Sequence, residues 1–332
     1  MMTTVLVLGA SGFIGGHIAL AAIEKGWVVR GLRRMSGATG HVGSAPIEWF
    51  EGDLNRPERL AQAFAGVQVV FHAAGYYPRD GGSVPRQVAG AVAQTRNVIE
   101  ACMQAGVNRL VYTSSLSTIG RPPPNAGRFA DERDTYLPGS LPRSAYYECK
   151  YAMESEVLRS SSAELEATVV NPTAVFGPGD VHLALGRALL WVARGWAVVW
   201  LPVEVNIVDV RDVAQAQVHA SEVGRPGQRY ILGGHNLPLR EVLAVAARLA
   251  GVSPPRVGLS VGFVERLISV LSYTPGMGRL SGHLQAIRTW QGYDCRKAQT
   301  ELGLNARPVE ETLRDALDWF ADNDYLKGRR GS

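Results

Sequence analysis

The chain has 332 residues, 46% of them hydrophobic, and its 34 basic against 30 acidic side chains leave a net charge of +4. That length is too great for one compact core and suits a large domain carrying a smaller one. The charges are scattered, which argues against a nucleic-acid partner, and Cys102, Cys149 and Cys295 form no C-x-x-C pair, which argues against a disulfide framework or a zinc site and fits a reducing cytosol.

"MMTTVLVLGAS" lacks a basic n-region, so its apolar run reads as a first strand, Thr4–Leu8, rather than a signal peptide. Further apolar runs follow at Trp27–Leu32, Ile47–Glu51, Gln68–Ala73, Arg109–Ser115 and Ala167–Pro172, with helical patterns near 12–25, 56–64, 86–105 and 144–160. Strand–helix alternation with almost wholly apolar strands predicts an α/β, doubly wound parallel sheet of Rossmann type, covered on both faces. After Pro172 the rhythm breaks at "GPGD" (Gly177–Asp180) and a Trp-rich stretch, then resumes with "NIVDV", a helix from Arg211 and a strand in Gln228–Gly234. This predicts a dinucleotide-binding domain of 1–172 plus 206–234, and a smaller, mostly helical substrate domain of 173–205 plus 235–325. The apolar run Ala188–Val203 is broken by Arg194 and Gly195 and is too short to span a bilayer. Gly262–Met277 reads as an amphipathic helix without a basic face, able to cap a pocket but poorly suited to a membrane surface. A soluble, cytoplasmic protein without a membrane partner is the expectation. Trp191, Trp196 and Trp200, with Leu201, Pro202 and Val205, form either the floor of an apolar substrate pocket or plain core.

Gly9, Gly12 and Gly15 fall between the first strand and the first helix, spaced G-x-x-G-x-x-G. Glycine permits a tight turn and the approach of backbone to a pyrophosphate at a helix N-terminus; the alternative is a structural turn. The loop residues Gly9, Ser11, Gly12, Phe13, Ile14 and Gly15 are therefore candidate cofactor contacts. A carboxylate near the end of the second strand would bind a ribose 2′-hydroxyl, whereas arginine accommodates a 2′-phosphate. Here "VVRGLRRMSG" offers Arg30, Arg33 and Arg34, and no acid lies between Gly26 and Pro46, so NADP is favoured with NAD as the alternative.

"SAYYECKY" sets Tyr146 and Lys150 at i and i+4, on one helix face. Carbonyl reduction needs a proton donor beside the hydride, and an ammonium nearby eases ionisation of a phenol whose reference pKa is about 10. Roughly 0.13 such pairs are expected by chance in a chain with 11 tyrosines and four lysines. A chain that writes nearly all its positive charge as arginine keeps a compact ammonium at 150. Tyr147 instead shares a stripe with Tyr151, Glu154 and Leu158, a packing or subunit-contact face. "VYTSSLSTIG" brings Thr113, Ser114 or Ser115 to the carboxyl end of a parallel strand, where a ligand crevice or a plain turn forms. His72 reads as a packed sheet histidine and Cys149 as buried and inert.

The glycine loop, "TSS" and Y-x-x-x-K, in this order, resemble the extended short-chain dehydrogenase/reductase superfamily (NAD(P)-dependent epimerase/dehydratase family). "EGDLNRPERLAQAFAGVQVVFHAAG", "VVNPTAVFGPGD" and "NIVDVRDVAQAQVHA" are similar to dihydroflavonol reductase-like and hopanoid-associated sugar-epimerase-like proteins. The resemblance implies that Ser115 orients the substrate oxygen, Tyr146 is the acid/base and Lys150 its partner. It implies that Asp53 and Leu54 border the adenine, that Ala73, Ala74, Gly75 and Thr113 line the cofactor, that Asn171, Pro172 and Thr173 lie near the nicotinamide, and that Arg34 best matches the NADP-type pattern. It also implies a homodimer through the two long helices near 86–105 and 144–160. The family's N-V-x-G-T reads "AVAQT" (Ala91–Thr95), which removes an asparagine often near the site. The expected activity is hydride transfer between NADP(H) and a carbonyl or alcohol on a small, partly apolar substrate. Nucleotide-sugar epimerisation or dehydration is the alternative, and a non-catalytic cofactor sensor is a third reading.

Overall fold

The computed structural model describes the chain apart from residues 1, 35–36, 79–81, 142–143, 182, 184, 265, 267–289 and 327–332. Most of the helix expected at Gly262–Met277 lies outside the described residues. The first half alternates strongly: β1 (Thr4–Leu8), α1 (Phe13–Glu24), β2 (Val28–Arg33), β3 (Ile47–Glu51), α2 (Ala61–Phe64), β4 (Val69–His72), α3 (Val84–Gln104), β5 (Arg109–Thr113), α4 (Ala145–Ser160) and β6 (Glu166–Pro172). Then come β7 (Ala174–Phe176), α5 (Gly186–Ala193), β8 (Val199–Trp200), β9 (Glu204–Asp209), α6 (Val210–Val223), β10 (Arg229–Leu232), β11 (His235–Pro238), α7 (Leu239–Leu249), β12 (Val257–Gly258), α8 (Arg296–Leu302) and α9 (Val309–Asp322).

The central sheet has seven parallel strands in the order β10-β6-β5-β4-β1-β2-β3. The fold is Rossmann-like and doubly wound, as the apolar strands imply. Period-two alternation divides each strand between two cores. Val5 and Val7 of β1 join Val111 of β5 against α1 and α6, while Leu6 and Leu8 join Leu110 and Tyr112 against α3 and α4. Chain direction from the centre of the sheet reverses between β1 and β4, the place where a doubly wound sheet opens a crevice at its carboxyl edge. The glycine loop after β1 and residues 73–75 after β4 both end there.

Of the segment 206–234, β10 takes the sheet edge beside β6 and α6 packs on α1, while β9 pairs with β7 and β11 in a separate three-stranded sheet. A third core forms where α5, α7 and α9 cover β9: Leu189, Val192, Ile207, Val242, Ala246, Leu313 and Phe320 are all buried in it.

Candidate functional site

The β1–α1 turn depends on glycine in two different ways. Gly9 has φ +89°, a left-handed conformation costly to other residues, and a Cβ there would lie 3.0 Å from the Ala74 nitrogen. Gly15 has ordinary torsions, but a Cβ on it would lie 2.2 Å from the Gly9 carbonyl oxygen. The Gly12 N–H donates to that carbonyl at 2.9 Å, closing the turn, and Gly12 caps α1. Ser11, Phe13 and Ile14 are partly exposed along the turn and the first turn of α1. The arrangement fits a dinucleotide pyrophosphate: bare backbone at the crevice, close to the Ala73–Gly75 segment, at the start of a helix.

At the end of β2, Arg33 lies 5.1 Å over the Trp49 ring and 3.9 Å from a Glu51 carboxylate oxygen. Arg34 is exposed and close enough to Asp53 for its charge to act there. Asn55 donates its backbone N–H (2.9 Å) and its side-chain amide (2.8 Å) to Asp53, and the backbone bond first among several causes holds that carboxyl below the usual range. The Leu54 side chain is buried, and its carbonyl accepts from Asn97 at 2.8 Å.

Past β5 the chain makes a single helical turn, and Ser115 caps it by accepting the Ser117 N–H at 3.2 Å. The Tyr146 hydroxyl, from the first turn of α4, donates to Ser115 Oγ at 3.3 Å. One turn later, Lys150 is buried, its Nζ 5.9 Å from the Tyr146 ring centre and 5.7 Å from that of Tyr77, which lies near parallel to Tyr146 at 6.2 Å. A Cβ on Gly75 would come within 2.9 Å of Lys150 Nζ, so the ammonium reaches the end of β4. Ser115, Tyr146, Lys150 and Gly75 thus converge on the carboxyl edge of the sheet. Burial pushes the Tyr146 phenol up, partly offset by its bond to Ser115, and burial pushes the Lys150 ammonium down, offset by Tyr77 and Glu154. The charge interaction of Lys150 in this arrangement therefore runs to Tyr77 and Glu154 rather than to the Tyr146 phenol, which burial holds above its ordinary value.

Thr113 and Asn171 lie elsewhere. Thr113 shares strand parity with Val111, so it faces α6 and donates to Gln217 Oε1 at 2.7 Å. Asn171 shares parity with Val169 and faces α4, donating to Glu154 Oε2 (2.7 Å) and Thr118 Oγ1 (2.8 Å). Pro172 ends β6, and Thr173 donates to Asn206 Oδ1 at 2.8 Å. Tyr147 is buried against Tyr136, ring centres 5.6 Å apart, in keeping with the packing face read for it. His72 is buried against Tyr112 at 5.2 Å, and burial pushes it to about 3; Cys149 is buried and pushed up to about 11.

Glu154 and Arg229 were not singled out from sequence. Glu154 is buried behind the site, accepts from Thr118 (2.6 Å) and Asn171, and lies 2.8 Å from Arg229 Nε on β10. Its place four residues after Lys150 was the available signal, but the Tyr147 stripe absorbed it. Tyr77 was likewise unmarked, because it sits in a loop without periodicity.

Beside Leu116 a cavity of about 130 Å³ opens between α5, α7, β9 and residues 290–293, walled by Phe176, Leu189, Val205, Leu243 and Trp290, with Asn206, Gln291 and Tyr293 as its polar atoms. No described residue lining it is charged. Val205 lines it as the pocket reading required. Trp191, Trp196, Trp200, Leu201 and Pro202 do not: α5 turns its Leu189 and Val192 face inward and leaves Trp191 53% exposed, and Trp196, in the turn beyond the helix, is 63% exposed. Among the described residues no cluster of His, Cys, Asp and Glu could hold a metal, and no helix is long and apolar enough to cross a membrane.

A glycine-cradled crevice on a doubly wound sheet, with hydroxyl, phenol and ammonium groups at its edge, defines a nucleotide-dependent enzyme of the extended short-chain dehydrogenase/reductase class. The family model for the NAD dependent epimerase/dehydratase family matches residues 5–233, and the chain belongs to that family. A relative from Synechocystis sp., named a dihydroflavonol 4-reductase, is 31% identical over 333 residues, covering 97% of this chain and 95% of its own. Sterol demethylase protein B of Methylococcus capsulatus is 27% identical over 331 residues, covering 97% and 100%. Among solved structures, a nucleoside-diphosphate-sugar epimerase from Pseudomonas aeruginosa superposes with a TM-score of 0.83 at 26% identity, covering 98% of this chain and all of its own. The chain is an NAD(P)-dependent oxidoreductase or epimerase by this membership.

Proposed function

We propose that the protein is an NADP(H)-dependent oxidoreductase that interconverts a carbonyl and an alcohol on a small, largely apolar substrate. The observation that carries this reading is the Tyr146–Ser115 hydroxyl pair, 3.3 Å apart, beside a buried Lys150 and next to a cavity with no charged side chain among the described residues that line it. When bound, the nicotinamide supplies or accepts the hydride. Ser115 holds the substrate oxygen, Tyr146 gives it a proton or takes one back, and Lys150 steadies the phenolate and the ribose hydroxyls. Residues 1–172 with 210–234 hold the cofactor, and 173–209, whose β9 joins the small sheet and lines the cavity, with 235–325 hold the substrate. Gly9, Ser11, Gly12, Phe13, Ile14 and Gly15 cradle the pyrophosphate, and Ala73, Ala74 and Gly75 flank it. Arg34, exposed where β2 ends and with no acid nearby on its own strand, supports a 2′-phosphate and hence NADP over NAD.

The likeness to a nucleoside-diphosphate-sugar epimerase favours a second reading, an epimerase or dehydratase with retained cofactor. A diphosphate needs cationic or multiple N–H partners, and the lack of a charged side chain among the described lining residues supports the reductase reading instead. The test is NADPH oxidation screened across apolar ketones, aldehydes and nucleotide sugars, with Tyr146→Phe as control. Loss of the proton donor lowers kcat by about 10²–10⁴-fold; turnover by Tyr146→Phe equal to the parent's refutes the assignment.

A further inference from the structure

The cavity of about 130 Å³ is shared between two parts of the molecule. Val192, Ala246 and Leu313 in its wall are buried members of the third core. Leu116, also in its wall, is the residue after Ser115, in the single helical turn that Ser115 caps. The space therefore joins the turn that carries the Ser115 hydroxyl to the interior of the small domain.

The polar side chains around it are committed elsewhere. Asn206 accepts from the Thr173 hydroxyl (2.8 Å) and the Gly234 N–H (2.9 Å) and donates to Asn236 Oδ1 (2.7 Å). Gln291 donates its amide to the Gly120 carbonyl at 2.8 Å. The Tyr293 hydroxyl is buried in the wall, and Asn236 holds the Tyr293 backbone by its N–H and its carbonyl, each at 2.9 Å. What the described lining offers a ligand is therefore hydrocarbon. An apolar cavity of about 150 Å³ stays dry and takes up benzene, so this one has room for about six carbon atoms and none for a multi-ring skeleton.

We propose that the cavity holds the apolar arm of the substrate, a ketone or aldehyde whose carbonyl carries a hydrocarbon group of about six carbons without polar atoms. Leu243 and Ala246, three residues apart on the face of α7 that lines the cavity, set the length of arm accepted. The inference rests on the reductase reading and adds to it where the arm lies and which residues measure it. Each methylene that enters an apolar pocket raises kcat/KM about four- to tenfold, and a methylene that finds no room adds nothing.

The test follows NADPH oxidation by the full chain over methyl ketones from propan-2-one to decan-2-one. In the parent, kcat/KM should climb about four- to tenfold per carbon as far as octan-2-one and then level off or fall. Ala246→Phe fills the space and should shorten the preferred ketone by about two carbons or more, with far-UV circular dichroism unchanged. Leu243→Ala enlarges the space at a partly buried position and should lengthen it by about one or two carbons; this variant decides the matter if Ala246→Phe misfolds. Independently of any reaction, fluorobenzene should bind the parent, seen as broadening of its fluorine NMR line, and not bind Ala246→Phe. A rate that does not depend on chain length, a preferred length that neither variant moves, or a parent that does not bind fluorobenzene overturns the proposal. Fluorobenzene binding that Ala246→Phe abolishes, with no ketone reduced, supports the ligand class of the cavity and counts against the reductase reading instead.

Discussion

Removing the Glu154 carboxylate tests how the site is supported from behind. Its side chain is 4% exposed and that of Arg229 11%, with 2.8 Å between charged atoms. In Glu154→Leu, Arg229 keeps hydrogen bonds to the carbonyls of Glu132 (3.3 Å) and Thr118 (3.0 Å) but loses its only close counter-charge among the described residues. Breaking one partner of a buried pair costs about 3–5 kcal/mol. Asn171 and Thr118 retain a bond to the Ser115 carbonyl, at 3.2 and 3.0 Å, so their losses add little, and about 3 kcal/mol is expected. Glu154→Leu/Arg229→Met removes both charges and should lose only about 1 kcal/mol, a coupling of roughly 2 kcal/mol or more between the two positions. Urea unfolding followed by far-UV circular dichroism gives each value. If the double variant is as unstable as the sum of the two single variants, the charges do not depend on each other and the reasoning fails.

Two further outcomes follow from the cofactor side of the sheet. Arg33→Ala/Arg34→Ala should weaken NADPH binding about 10–100-fold, the range for charge-assisted hydrogen bonds, and leave NADH binding within about threefold in a fluorescence titration; equal losses for both nucleotides contradict the 2′-phosphate assignment. The stacked pair His17 and His41, ring centres 4.5 Å apart, predicts acid sensitivity. Burial first, then His17, pushes His41 from 6.5 to about 4, and burial lowers His17 against the raising effects of the Pro178 carbonyl and Asp209. Since the unfolded chain takes up these protons near 6.5, stability is full above that pH and is lost as pH falls from 6.5 towards 4. His41→Phe should flatten that part of the profile in thermal melts, and an unchanged profile rules the pair out as its source.

The inner strands were legible because they are buried on both faces and read as apolar runs, Thr4–Leu8 to the residue; the edge strand Ile47–Glu51, half exposed, was also placed to the residue, and the others within one or two. The small domain was less legible. β7 and β11 are short and partly exposed, and α5 turns Trp191 outward with the exposed Trp196 following it, so the richest aromatic stretch was read as either a pocket floor or plain core. Within the site, periodicity separated Tyr146 from Tyr147, since a difference of four along a helix is a geometric statement. It could not reach Thr113, whose orientation follows from strand parity once the cores on either side of the sheet are known, nor Tyr77, which reaches Lys150 from a loop.

Glu154 shows the limit of stripe reasoning most clearly. Steps of four along a 3.6-residue helix drift around its axis, so a residue seven after Tyr147 and four after Lys150 belongs to both stripes on paper. Packing decides: Tyr147 turns to Tyr136, while Glu154 turns under the sheet to Asn171 and Arg229. The acid thus sits one helical turn below the ammonium, close enough to counter part of the desolvation that lowers Lys150, yet it reaches neither the crevice nor the Tyr146 hydroxyl. A carboxylate at that depth helps keep Lys150 protonated while leaving its Nζ free to face Gly75 and the phenol. In this chain the charge state of the proposed lysine is therefore set partly by Glu154, one helical turn along α4, a residue that no motif marks.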